Sequence, residues 1–261
     1  MKNYRKTLIV SLIALTSTIV SCELFEDATN PLSEGEIIQG LKEALNIGLD
    51  NSVTSASSVD GYLKNEVIKI LLPEEVANLK SQINSSTILS AAYNTYIDIE
   101  NDGDDLFDGL ITAMNRGAED AAGTALPIFG NAITNMTFDD ARNILNSEND
   151  QAATDFFEAE TRSELISSFS PNVKKALGDN QASQLYSDIV ALLNYEFDPV
   201  FGTTVGQALD SDPNLPATLD EYATGKAVDG LFYLVGEEEK KIREDPFAWG
   251  SSIIERVFGG N

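Results

Sequence analysis

Six carboxylates fall within eleven residues from Asp98 to Asp108, with no basic residue among them. Asp98, Glu100, Asp102, Gly103 and Asp104 take positions one, three, five, six and seven of an EF-hand loop, where alternate oxygens surround a hard cation such as calcium and glycine allows the turn. The twelfth position is Gly109 in place of a bidentate glutamate, and the eighth is Asp105 in place of an apolar residue. A calcium site on Asp98, Glu100, Asp102 and Asp104 is therefore set against a simpler expectation. In that one the loop is solvated and Asp104 or Asp105 caps the helix that follows.

Asn115 and Glu119 lie four residues apart and so share one helix face, among Ala113, Gly117, Ala118 and other small residues that let helices approach closely. A glutamate there, paired with Arg116, Arg142 or Arg162, reads as an ion pair holding the packing ahead of a catalytic carboxylate. Thr137 is placed as an N-cap, with Asp139 and Asp140 in the first turn beside the positive end of the helix dipole. In the run from Glu237 to Asp245, opposite charges recur at helical spacing, Glu237 with Lys241 and Glu239 with Arg243, which describes a solvated face. Two carboxylates such as Glu119 and Glu238 would suit glycoside hydrolysis only if held about 5 or 6.5–9.5 Å apart. Sequence supplies no such distance, and acid pairs arise easily in a chain this acidic.

Other chemistries are excluded outright. The chain has no histidine and a single cysteine, so by itself it builds no Ser-His-Asp triad, Cys-His dyad, histidine zinc site or intrachain disulfide. No catalytic residue and no obligatory cofactor are assigned, with calcium kept as the one candidate ion.

The elements that must position these residues follow helical period. Ser33 with Glu36 forms a capping-box pattern, and apolar residues from Ile37 to Gly48 recur at three-and-four spacing, which predicts a first helix from about Glu34 to Asp50. Further helices are predicted over Val76–Ile83, Thr87–Ile97, Leu106–Ala122, Leu126–Asn135, Phe138–Asn146, Asp150–Ser168, Val173–Leu193, Leu219–Gly236 and Glu237–Phe258. Strand signals are scarce. Hydrophobic residues make up 43% of the chain, enough for a packed core. Tyr93, Tyr96, Phe129, Phe156, Phe157 and Tyr233 are core by default, although helices could also arrange them around an apolar groove.

The start of the chain fixes a compartment. Lys2, Arg5 and Lys6 precede a mostly apolar stretch from Thr7 to Val20 that is shorter than the roughly 20 residues a membrane span needs, and the sole cysteine follows. Ile19-Val20-Ser21-Cys22 resembles a bacterial lipobox, in which cleavage precedes a cysteine whose thiol carries diacylglycerol. Residues 1–21 are read as a signal peptide, Cys22 as the lipidation site, 22–33 as a tether and 34–261 as one all-α domain. The 17 Lys and Arg less the three of the leader leave 14 against 42 acidic residues, a net charge of −28. That charge repels phosphate backbones, so nucleic acid is not an expected partner.

Several motifs in fixed order carry a family resemblance: Gly40-Leu-Lys-Glu-Ala-Leu45 with Gly48, Leu71-Leu-Pro73, Met114-Asn-Arg-Gly-Ala-Glu119, Met136-Thr137 with Asp140-Ala141, Ala152-Ala-Thr154, and Leu231-Phe232 with Glu238, Ile242-Arg243 and Asp245-Pro246. From about Leu32 to Gly259 the chain resembles the bacterial family catalogued as domain of unknown function 4197. Gly117 stands where that family's motif has alanine. The resemblance implies a mostly helical, often lipid-anchored envelope protein, and it selects Asn115, Arg116, Glu119, Thr137, Asp140, Thr154, Glu238 and Arg243 as a candidate polar site.

The expectation is thus an all-α lipoprotein of the cell envelope, at the outer membrane ahead of the inner. It would act as a non-catalytic binding or organising module for an envelope protein or a hydrophobic ligand. The alternative is a carboxylate- or calcium-dependent hydrolase.

Overall fold

The structure, a computed structural model, describes residues 32–259 apart from 180, 199, 211 and 217. The expected signal peptide, Cys22 and the expected tether up to residue 31 lie outside the described residues. From Glu34 onward the chain forms one compact unit.

Eleven α-helices are found among the described residues: α1 Glu34–Ser57, α2 Glu74–Ser85, α3 Thr87–Glu100, α4 Leu106–Ala122, α5 Ala125–Asn135, α6 Phe138–Leu145, α7 Ala152–Asp179, α8 Ala182–Leu192, α9 Val205–Ala208, α10 Asp220–Glu244 and α11 Ser252–Phe258. The only sheet among them is a two-stranded antiparallel hairpin, β1 Glu196–Asp198 and β2 Thr203–Thr204. The all-α expectation holds. None of the described helices is long and apolar enough to cross a membrane.

At the centre, α7 packs between α4 and α10, and α1 lies across α10, α4 and α5. Periodicity explains the arrangement. Leu41, Leu45, Leu49, Val53 and Ala56 recur every three or four residues of α1 and are all buried, so one stripe of this helix meets the core while Glu43, Asn46 and Asp50 remain outside it. The aromatic residues fill this core: Phe129 meets Phe157 and Phe232 edge-on at ring distances of 5.8 and 6.0 Å, and Tyr93 packs on Phe107 at 5.5 Å. Of the six, Tyr93, Tyr96, Phe129 and Phe157 are buried, Phe156 is half-buried and Tyr233 is exposed.

Three boundaries differ from the periodicity. Helix α7 runs straight through Pro171 to Asp179, where a break after Ser168 was expected. An interior proline costs about 3 kcal/mol, but Leu165, Phe169 and Val173 are fully buried on either side of it, and each buried side chain of that kind returns about 1.5–3 kcal/mol. The break falls instead next to Gln181, whose φ of 60° ends the helical path. Helix α10 likewise continues past Gly236, and the pause comes at Asp245-Pro246, which opens a short 3-10 turn. α1 extends seven residues beyond Asp50, carried by buried Val53 and Ala56.

Gly117 faces α7. A Cβ there would sit 3.6 Å from the Ala176 methyl, an ordinary contact. Gly117→Ala is therefore expected to stabilise the domain by about 0.5–1 kcal/mol, since alanine loses less backbone entropy on entering a helix. For a domain of this size that is a rise in Tm of roughly 1–4 °C, measurable by circular dichroism. A fall in Tm would show that α4 and α7 lie closer than this.

Candidate functional site

The sequence-selected polar residues separate into three hydrogen-bonded groups. The first is built on α4, where Asn115 and Glu119 stand one turn apart and point at the loop between α1 and α2. Glu119 is 5% exposed. Its Oε1 accepts the backbone N–H of Tyr62 and of Leu63, both at 3.1 Å, and its Oε2 accepts Arg116 Nη1 at 2.6 Å. Arg116 then reaches with Nη2 to Asp60 Oδ1 at 2.7 Å, and Lys64 closes on the other oxygen of Asp60 at 2.7 Å. Both cations hold the Asp60 carboxyl below its ordinary range, with the Lys64 contact the larger cause. Asn115, fully buried, accepts the N–H of Ile70 at 2.8 Å and donates through Nδ2 to the carbonyls of Ile70 and Ile111 at 2.8 and 2.7 Å. Its amide thus pairs with Ile70 as a neighbouring strand would.

The loop has local reasons to take this path. Asp60 adopts φ of 69°, a left-handed conformation aspartate enters more readily than most residues. Gly61 leaves no room for a side chain, because a Cβ would come within 2.2 Å of the Ser55 carbonyl oxygen. Tyr62 is then driven fully into the core, donating its hydroxyl to the Ala227 carbonyl at 2.6 Å, and burial pushes its phenol well above the usual value. Opposite it, Gly230 must lack a side chain, since a Cβ would lie 2.7 Å from the Tyr62 ring.

The second group joins α10 to the ends of two helices. Glu239, 7% exposed, accepts the N–H of Ala153 at 2.9 Å and of Thr154 at 2.8 Å, together with the Thr154 hydroxyl at 2.8 Å. Those amides belong to the first turn of α7, which has no intrahelical acceptor for them, so the carboxylate caps α7 from another helix and faces the positive end of its dipole. Arg243 donates through Nε and Nη2 to the same Glu239 oxygen at 3.0 and 2.8 Å, and through Nη2 to the Ile144 carbonyl at the end of α6 at 3.0 Å. A cation there complements the negative end of α6. Beside this group, Leu41, Leu45, Leu49, Val235 and Ile242 enclose a cavity of about 20 Å³, room for about one water molecule.

Thr137 and Asp140 form the third group, a capping box at the start of α6 with both reciprocal bonds present. The Thr137 hydroxyl and amide hold the Asp140 carboxyl below its ordinary value. A depressed folded-state pKa contributes stability that is complete above the unfolded value, about 4, and is lost as pH falls through the folded one. Asp140→Asn is accordingly expected to lower Tm at pH 7, and the gap to wild type should narrow as pH falls below about 4; melting curves taken from pH 7 down to pH 3 would check it.

The eight residues thus do not converge on one cleft. Asn115, Arg116 and Glu119 act together; Thr154 and Arg243 meet through Glu239; Thr137 and Asp140 are a helix start. Glu238 turns to Asn51 Nδ2 at 3.0 Å and Lys241 at 2.6 Å. The resemblance therefore selected the neighbour of the buried carboxylate, and the sequence signal for Glu239 was its four-residue spacing to Arg243. Lys241 pairs with Glu238 in place of the expected Glu237, which takes Lys240. Nothing in the sequence marked Asp60 and Gly61 as partners of α4.

The structure places Asp98, Glu100, Asp102 and Asp104, the residues of the calcium expectation, at a helix end. Asp98 and Glu100 lie within the last turn of α3, Asp102 and Gly103 close that helix in left-handed conformations with φ of 50° and 85°, and Asp105 caps α4 by accepting the Asp108 N–H at 2.8 Å. A helix end disperses carboxylates that an EF-hand loop would gather. Among the described residues no three acidic side chains are grouped to hold a metal ion.

The sequence profile of the family described as Protein of unknown function (DUF4197) matches residues 31–259. The chain belongs to the DUF4197 family. Searches of curated proteins and of solved structures gave no match. Within this DUF4197 domain, Asn115 and Glu119 of the motifs anchor the α1–α2 loop, and Thr154 and Arg243 meet through Glu239 at the start of α7.

Proposed function

We propose that this chain is a lipid-anchored protein of the bacterial cell envelope, held by Cys22 at the outer membrane, and that it works by binding another envelope component without catalysing a reaction on it. The observation that carries the non-catalytic part is the occupancy of the two buried carboxylates. Glu119 and Glu239 each accept two backbone N–H groups and an arginine, so their charge holds polypeptide in place and is not presented to a substrate. The apolar leader ending at the sole cysteine supports the anchor, and a mature charge of −28 favours partners that carry basic surface.

Metabolic labelling with an alkynyl fatty acid tests the anchor. The wild-type protein is expected to take up label and sediment with membranes, whereas Cys22→Ser takes up none. Equal labelling of both forms, or an intact leader on an unlabelled soluble product, would overturn the assignment.

A further inference from the structure

We propose that the tip of the β1–β2 hairpin, Val200 and Phe201, is a finger that seats in an apolar pocket of a partner protein rimmed by lysine or arginine. Its base is fixed to the domain. Tyr195 packs its ring against Tyr96 at 5.3 Å, and the N–H groups of Val205 and Gly206 donate to the carbonyls of Tyr195 and Leu193 at 3.0 and 2.8 Å. The tip is also ordered by its own hydrogen bonds. Asp198 Oδ1 accepts the N–H of Val200 at 3.0 Å and of Phe201 at 3.3 Å, and the Asp198 carbonyl accepts the N–H of Gly202, whose φ of 67° turns the chain back.

This shaped turn holds two adjacent apolar side chains outward, Val200 at 81% and Phe201 at 83% exposure. Single exposed apolar residues are ordinary, but an aromatic on a preformed turn is the kind of anchor that dominates protein interfaces, because little ordering entropy remains to be lost on binding.

The charge of this stretch of chain, with Glu196 and Asp198 on the hairpin itself, points to the occupant. Between Lys175 and Lys226 the chain has eight acids and no basic residue. Of these acids Asp179 pairs with Lys175 and Asp220 with Lys174, while Glu196 and Asp198 flank the tip itself. An anionic lipid surface would repel this segment, and a second copy would set acid against acid. A basic rim around an apolar pocket satisfies both the charge and the ring. The proposal gives the binding role a surface and a partner chemistry and rests on that role; it does not rest on acylation, so the labelling experiment and the one below can fail separately.

The test uses the full chain carrying Cys22→Ser, which removes any acyl group, with a helical peptide of leucine and lysine as the probe. The peptide is expected to bind with an affinity that falls as salt rises, and Val200→Ser with Phe201→Ser should weaken it by about tenfold, the effect of losing an interface anchor. Polylysine, which offers charge without apolar side chains, should bind both forms alike. Unchanged melting curves verify that the double variant is folded, and Phe201→Trp, which keeps the ring, should bind and shift its fluorescence to the blue. Equal peptide affinity for wild type and double variant would overturn the proposal. So would flotation with phosphatidylglycerol vesicles, or self-association in sedimentation, that depends on these two side chains.

Discussion

Glu239→Ala is expected to destabilise the domain by about 3–5 kcal/mol, the cost of removing one partner of a buried ion pair, and so to lower Tm by roughly 10 °C or more. Three donors of the α7 start, the N–H groups of Ala153 and Thr154 and the Thr154 hydroxyl, lose their acceptor together. Arg243, 18% exposed at its side chain, loses its counter-charge at the same time. Arg243→Ala should cost less, because Glu239 keeps its amide donors, and the double variant should cost less than the sum of the two by about 1–3 kcal/mol. Hydrogen exchange localises the effect: the Ala153 and Thr154 amides should lose protection first. A Tm within about 2 °C of wild type for Glu239→Ala would mean that α7 is capped by something other than this carboxylate.

The joining of two helix ends by Glu239 and Arg243 also explains what sequence could and could not show. Helices were legible because burial in α1, α4 and α10 follows a single stripe, and the capping box of Thr137 and Asp140 uses only neighbouring residues. Local rules failed where distant packing outweighed them, as at Pro171, where buried Phe169 and Val173 carry the helix on. Asn115 and Glu119 were recognisable as one face of α4, and Arg116 was among the partners expected for Glu119. Their targets were not. Those targets are backbone N–H and carbonyl groups of Tyr62, Leu63 and Ile70, about fifty residues away, and a backbone amide carries no residue-type signal in the sequence. The path of the acidic loop was hidden for a related reason: EF-hand spacing records which oxygens alternate along the chain, while the path of that chain is decided by Ile97, whose carbonyl receives the N–H groups of both Asn101 and Gly103 at 2.9 Å and winds the segment into a helix end.

Asn115→Asp is the smallest change with a comparably large expected effect. The side chain keeps its shape and still offers an acceptor to the Ile70 N–H, but it exchanges a donor of two hydrogen bonds for an oxygen facing the carbonyls of Ile70 and Ile111. Leaving buried acceptors unsatisfied costs about 1–3 kcal/mol each, and a carboxylate in a fully buried position adds its desolvation, so a loss of about 3–5 kcal/mol is expected at pH 7. The loss should depend on pH with a definite sign. Burial and two facing carbonyls raise the folded-state pKa of the introduced carboxyl above its unfolded value of about 4. Its neutral form donates one proton to a carbonyl, so the variant recovers toward wild type at low pH and loses stability as pH rises through the raised value. Asn115→Ala removes the same bonds without adding charge, and its deficit should be nearly constant over that range. Melting each variant against wild type at pH 4 and pH 7 separates the two. Parallel curves for Asn115→Asp and Asn115→Ala would show that water reaches this face of α4 and that the α1–α2 loop is held chiefly by Glu119.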